Sequence, residues 1–160
     1  NRVLGRQSGA VFAEAAVEVA GRLGMRGVVV TGSNYSGPLP DSTEVIAHRG
    51  LPGAELAGLL ASARFGIVGG GDLLQQAIAM HTPSVTAPAA PDQPRRIAAF
   101  ERVDLCITAR LERLAETTVE AVRDGRIDAL RERLASSDTA NGLMLGVERI
   151  EALAGSRPSG

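Results

Sequence analysis

Lysine and tryptophan are absent from this 160-residue chain, and cysteine, tyrosine, phenylalanine and histidine number only one, one, three and two. All 17 positive charges are therefore arginine, set against 18 acidic residues for a net charge of −1. Such a balance creates no long-range field toward nucleic acid or an anionic membrane. So few aromatics cannot build a base-stacking platform. Without lysine there is no G-x-x-x-x-G-K-[ST] phosphate loop. The lone Cys106 excludes an internal disulfide and, with only His48 and His81 beside it, a zinc site. No Asp-x-Asp pair is spaced for a divalent cation, so neither metal nor cofactor is expected. The longest uncharged stretch, Leu73 to Pro91, holds two Gln, one His and three Pro, which excludes a stable membrane insertion. No secretory signal precedes the first element, and a soluble, cytoplasmic chain is the expectation.

What the chain has in excess is glycine, 19 residues against a usual share of ~7%. Several fall where a strand would hand over to a helix. Arg2-Val3-Leu4 reads as a scrap of strand, Gly5-Arg6-Gln7-Ser8-Gly9 as a turn, and residues 10–24 as a helix. Further strands are expected at Gly27–Thr31, Glu44–Ala47, Phe65–Val68, Ser84–Thr86 and Asp104–Thr108. Helices are expected over 53–62, 73–80 with Asp72 as cap, 93–102, 111–122, 128–134 and 143–153. Short apolar strands alternating with helices predict an α/β fold. Its form is a Rossmann-like doubly wound parallel sheet of about six strands with helices on both faces. Residues 1–154 would form one domain and 155–160 a disordered tail.

Ligands in such sheets bind at the carboxyl ends of the strands. Gly69-Gly70-Gly71-Asp72 stands there. Its glycines would let backbone N–H groups approach an anion, and the following helix would add its dipole and unpaired donors, a pairing suited to a diphosphate. The plainer alternative is a tight turn in which glycine is only geometry. Asp72 would compete with phosphate for the same donors. Gly5–Gly9 is not G-x-G-x-x-G, and no acidic residue follows the second strand to hold a dinucleotide ribose. His48 reads as a surface-loop residue, His81 as a helix exit and Cys106 as core packing. No Ser-His-Asp or Cys-His arrangement emerges.

In their order, these motifs resemble the C-terminal, donor-binding domain of GT-B fold glycosyltransferases. The nearest are the N-acetylglucosaminyltransferases of peptidoglycan lipid synthesis and the antibiotic-type transferases. Gly5-Arg6-Gln7-Ser8-Gly9-Ala10 stands in the place of that family's Gly-Gly-Ser-x-Gly-Ala loop. Gly50-Leu51-Pro52 falls where the family contacts the nucleotide base. Gly69-Gly70-Gly71-Asp72-Leu73-Leu74-Gln75-Gln76-Ala77, then Pro83-Ser84-Val85 and Pro91-Asp92-Gln93, are similar to its central signature, and Gly146–Ile150 to its closing helix. The resemblance implies a donor site from Gly5, Ser8, Gly9, Leu51, Gly69, Gly70, Gly71, Asp72, Gln76, Asp92 and Gln93. In it the glycine turn meets the diphosphate, Gln76 the ribose, and Asp92 with Gln93 the sugar. Gln76 stands where the family has Glu, Val68 where it has His, and Arg96 where Asn often follows.

The resemblance further implies an inverting, metal-independent transferase using a nucleoside diphosphate sugar, with a UDP-sugar as the first expectation. Acceptor and catalytic base would come from an N-terminal acceptor domain or a partner subunit. The alternatives are a non-catalytic nucleotide-sugar-binding subunit and a hydrolase or 2-epimerase, since the fold hosts both.

Overall fold

A computed structural model describes residues 2–32 and 35–137. The expected helix over 143–153, the Gly146–Ile150 motif and the tail at 155–160 lie outside the described residues. The chain opens with α1 (Arg2–Leu23), β1 (Gly27–Thr31), β2 (Val45–Arg49), α2 (Gly53–Ser62) and β3 (Gly66–Gly69). It continues through α3 (Asp72–Ala79), β4 (Ser84–Ala87), α4 (Gln93–Glu101) and β5 (Ile107–Thr108). A 3-10 turn (Leu111–Arg113), α5 (Leu114–Arg123) and α6 (Arg126–Ala135) complete the described order.

The fold is α/β with parallel strands, and in two respects it departs from the expectation. Among the described residues five strands form two sheets, β1-β2 and β3-β4-β5, rather than one continuous six-stranded sheet. The sixth strand, expected at Arg2–Leu4, and the turn expected at Gly5–Gly9 are both absorbed into α1. A three-residue strand needs a paired neighbour for its backbone groups, whereas a helix bonds its own. Arg, Leu, Gln and Ala in this stretch favour helix enough to carry Gly5 and Gly9, which cost about 1 kcal/mol each in a helix interior. The last strand is also shorter than expected, because Asp104 turns the chain at φ 55 before Ile107.

β4 is the centre of the larger sheet, buried at all four residues and flanked in parallel by β3 and β5. Its register sets Ile67 against Val85 and Val85 against Ile107. On one face, Val85 and Ala87 pack with Ala15 of α1, Leu114 and Ala121 of α5, and Ile127 of α6. Side chains alternate along a strand, so Val68 turns to the opposite face. There it meets Leu74 and Ile78 of α3, Ile97 of α4, and Leu130 and Leu134 of α6. The smaller sheet pairs Gly27–Thr31 with Val45–Arg49. Its Val29 and Val45 pack on Ala13 and Ala20 of α1. Among the described residues no helix is long and apolar enough to cross a membrane.

Cys106 belongs to the second core cluster and is 7% exposed. Burial pushes its thiol up to about 11, which leaves about one thiolate in a thousand at pH 8. Ellman's reagent is therefore expected to modify the folded chain at least about 100-fold more slowly than the urea-unfolded chain at that pH. Between the ordinary thiol value and 11 the folded chain keeps a proton that the unfolded chain releases, so stability falls as pH rises through that window. Equal rates in the two states at pH 8 would show that the thiol is not in the core.

Candidate functional site

At the carboxyl end of β3 the chain passes through Gly69-Gly70-Gly71 into α3. At the carboxyl end of β4 it passes through 88–92 into α4. One side chain joins the two turns. The Gln93 Oε1 accepts from the Gly70 N–H at 2.9 Å and from the Ala89 N–H at 2.8 Å. None of the three glycines takes a positive φ. Proximity requires glycine at position 70, makes position 69 tight and leaves position 71 in ordinary contact. A Cβ on Gly70 would lie 2.4 Å from Ile97 Cγ1, on Gly69 3.2 Å from the Ala89 Cβ, and on Gly71 3.4 Å from Gln93 Nε2. The turn is clamped onto α4, and of the glycine amides that of Gly70 is already engaged.

Ahead of the turn stands the start of α3. Asp72 does not cap it, as the sequence suggested. Gly71 is the N-cap, and no side chain bonds the cap position. The Asp72 carboxylate, one residue inside the helix, makes no cap bond. It is free to swing outward, where its side chain is 90% exposed and sits 3.4 Å from Arg96 NH1. The same guanidinium reaches toward Asp92 Oδ2 at 3.8 Å. Exposed pairs of this kind contribute ~1 kcal/mol or less, so Arg96 can exchange these partners for another anion. The amides of Gly71, Asp72 and Leu73 have no intrahelical carbonyl to bond, and Arg96 reaches this end of α3 through the Asp72 carboxylate. Gln76 is exposed one turn further along α3, on the face that carries Asp72.

The remaining candidates stand apart from this rim. Leu51 is half-buried after β2 and follows Gly50, whose φ of 72 favours glycine and whose N–H bonds the Thr31 carbonyl at 2.9 Å. Gly5, Ser8 and Gly9 lie along α1, not in a loop beside the Gly69–Gly71 turn, and Ser8 is buried. Gly9 faces another constraint. Its Cβ would come within 2.7 Å of the Tyr35 ring, and that of Gly37 within 2.5 Å of the Tyr35 hydroxyl. Arg49 holds this loop, donating to the Tyr35 carbonyl at 3.1 Å and the Gly37 carbonyl at 2.8 Å. Neither Tyr35 nor Arg49 was singled out by the sequence; a lone tyrosine between two close glycines was the available signal. His48 is half-buried in β2, opposite Val30, rather than in a loop. His81 leaves α3 at φ 55, as a helix exit would. Among the described residues no group of three or more His, Cys, Asp or Glu could hold a metal ion.

A cavity of about 1220 Å³ lies beside the rim rather than in it. It runs between β1 and β3, beneath α1 and against α2, and of the candidates it touches only Gly9 and Gly69.

The clamp yields a prediction with two variants. Gly70→Val should destabilise the chain by about 2–4 kcal/mol, because Ile97 cannot withdraw from its buried seat. Gln93→Ala should lose about 1–3 kcal/mol by orphaning two amides. Urea denaturation checks both, and a change under 0.5 kcal/mol for either would mean that the two turns are not held together this way.

No family model matches the chain, and no curated protein does. Among solved structures, it is similar to that of the glycotransferase of kitacinnamycin, at 26% identity and a TM-score of 0.61. The likeness covers 78% of this chain and 33% of that one, so the chain spans about a third of the length of the enzyme it matches. In fold and extent, then, this is a glycosyltransferase-like α/β domain, consistent with one half of a GT-B fold.

Proposed function

We propose that the chain is the donor-binding half of an inverting, metal-independent glycosyltransferase that takes a nucleoside diphosphate sugar, first of all a UDP-sugar. The observation that carries the reading is the likeness to a glycosyltransferase over 78% of the chain. That likeness is joined to a glycine turn that ends in helix amides at the carboxyl edge of the sheet. The diphosphate would sit on the amides of Gly71, Asp72 and Leu73, with Arg96 leaving its carboxylates to close on an oxygen pair. Gln76 would accept from a ribose hydroxyl through its amide oxygen. Backbone groups beside Leu51 would read the base. Asp92 would accept from sugar hydroxyls. Gln93 has spent its oxygen on Gly70 and Ala89, so it would serve the sugar only as a donor, through Nε2.

Gly5, Ser8 and Gly9 are left out of this donor set. Ser8 and Gly9 use their amides within α1, and Gly5 lies in its opening turns. The catalytic base and the acceptor would come from a second domain or a partner subunit. That part would also exclude water from the reacting centre.

A second reading, a non-catalytic nucleotide-sugar-binding subunit, is favoured by one feature. Asp72 and Asp92 already pair with Arg96, the guanidinium that would have to turn to the diphosphate. The two readings differ in what they ask of a partner, not in the ligand.

Titration calorimetry with UDP, other nucleoside diphosphates and their sugars, without added metal, tests the site. One diphosphate is expected to bind saturably. Arg96→Ala should weaken it by about tenfold, the order of one charge-assisted hydrogen bond. Gln76→Glu should tighten it severalfold through the ribose. A well-folded chain that binds none of the panel would overturn the donor-site assignment.

A further inference from the structure

The two groups that would hold a diphosphate stand on different elements. The amides of Gly71, Asp72 and Leu73 belong to the turn that leaves β3, whereas Arg96 belongs to α4, which the chain reaches only after β4. An anion held by both needs them at hydrogen-bond distance from its oxygens at the same time. Neither group is fixed by its immediate surroundings. No side chain caps α3 or α4. The exposed pairs of Arg96 with Asp72 and Asp92, at 3.4 and 3.8 Å, are too weak to decide where α4 lies.

Gln93 reaches both elements. It is the first residue of α4, and its Oε1 accepts from the Gly70 N–H at 2.9 Å and the Ala89 N–H at 2.8 Å. One bond fixes the glycine turn and the other fixes the loop that leads into α4. A Cβ on Gly70 would lie 3.2 Å from the Gln93 Cβ, and one on Gly71 3.4 Å from Nε2. The side chain therefore runs along the back of the turn. Residues three and four apart share one side of a helix. Ile97, four residues on, takes the space that a side chain on Gly70 would need, and Arg96, three residues on, is carried with it to the start of α3. Loss of the Gln93 oxygen would leave two amides unpaired and remove the bond that ties the turn to the helix.

We propose that Gln93 is a positioning residue for the diphosphate, coupling the amides at the start of α3 to the guanidinium on α4. The inference rests on the donor-site reading and deepens it. Gln93 acts on the phosphates without touching them, through the Gly70 and Ala89 amides, in addition to any contact its Nε2 makes with the sugar.

Titration calorimetry with UDP, or with the nucleoside diphosphate that the panel selects, reads this role in the absence of a sugar. It is done at a temperature where circular dichroism shows each variant folded. Gln93→Met keeps the length and loses the acceptor, and should weaken binding by about tenfold or more. Gln93→Glu keeps an acceptor for both amides and should stay within about threefold of the unaltered chain. In the Gln93→Met background Arg96→Ala should cost less than about threefold, because the guanidinium is no longer held beside the amides. A purely structural Gln93 would change none of these affinities in a folded chain. Three results overturn the proposal while leaving the donor site in place. They are Gln93→Met binding as tightly as the unaltered chain, Gln93→Glu as weak as Gln93→Met, and an Arg96→Ala cost that is the same in both backgrounds. An unaltered chain that binds no nucleoside diphosphate removes the donor reading, and this proposal with it. Should Gln93→Met not fold, hydrogen exchange on the unaltered chain decides. The diphosphate is expected to slow the Gly70 and Ala89 amides by about tenfold or more, since it binds the clamped form. No change at those two amides in a chain saturated with ligand overturns the proposal.

Discussion

Burial of β4 on both faces is the constraint from which the larger half of the molecule follows. A strand with no solvent-facing side must be flanked by helices above and below; Val85 and Ala87 of β4 suit that burial, whereas Thr86 buries a hydroxyl with no partner among the described residues. α1 and α5 supply one cover, and α3 and α4 the other. α6 reaches both, giving Ile127 to the first cluster and Leu130 and Leu134 to the second. The carboxyl ends of β3 and β4 are thereby held side by side, and the two turns that leave them have little freedom. Gln93 uses that proximity. By bonding one amide of each turn it makes the rim a single rigid piece.

That bond also changes what the glycines are for. A run of three glycines suggests backbone freedom, yet none of the three takes a positive φ. Gly70 is needed because Ile97 lies where its side chain would be. The turn is a closely packed joint, and the donors it leaves for an anion are those of the first turn of α3. Arg96 sits beside them, held by two exposed carboxylates. Weak pairing would let the guanidinium change partners in the proposed donor complex.

Much of this was legible in the sequence wherever a pattern repeats locally. Val28–Val30, Ile67–Val68 and Val85 stand in unbroken apolar runs bounded by Gly or Pro, and the structure has strands at each. The helices α2 to α5 follow apolar spacing and match to within a few residues. Arg2–Leu4 was not legible. Three residues carry no period, and strand or helix there depends on whether a paired edge is at hand. The duty of Gln93 was equally hidden, because its partner Gly70 lies 23 residues away. Asp72 looked like a cap from its place before an apolar run, but its orientation depends on Arg96, which only the packing of α4 against α3 brings near.

The two sheets are tied by α1, which packs on both, and by the chain through α2; among the described residues no strand pairing joins them. Leu51 belongs to the smaller sheet and Gly71 to the larger. A donor of the proposed kind, touching both, would have to reach from one sheet to the other, so the spacing of the sheets would set the distance from its base to its phosphates. Helix packing positions sheets by side-chain contact, whereas a hydrogen-bonded ladder holds neighbours at about 4.8 Å. Between the two sheets that spacing is set by α1, which gives Ala15 to the core of the larger and Ala13 and Ala20 to that of the smaller. The geometry that such a donor would meet would therefore be controlled by the seating of α1, below the rim, as much as by the side chains upon it.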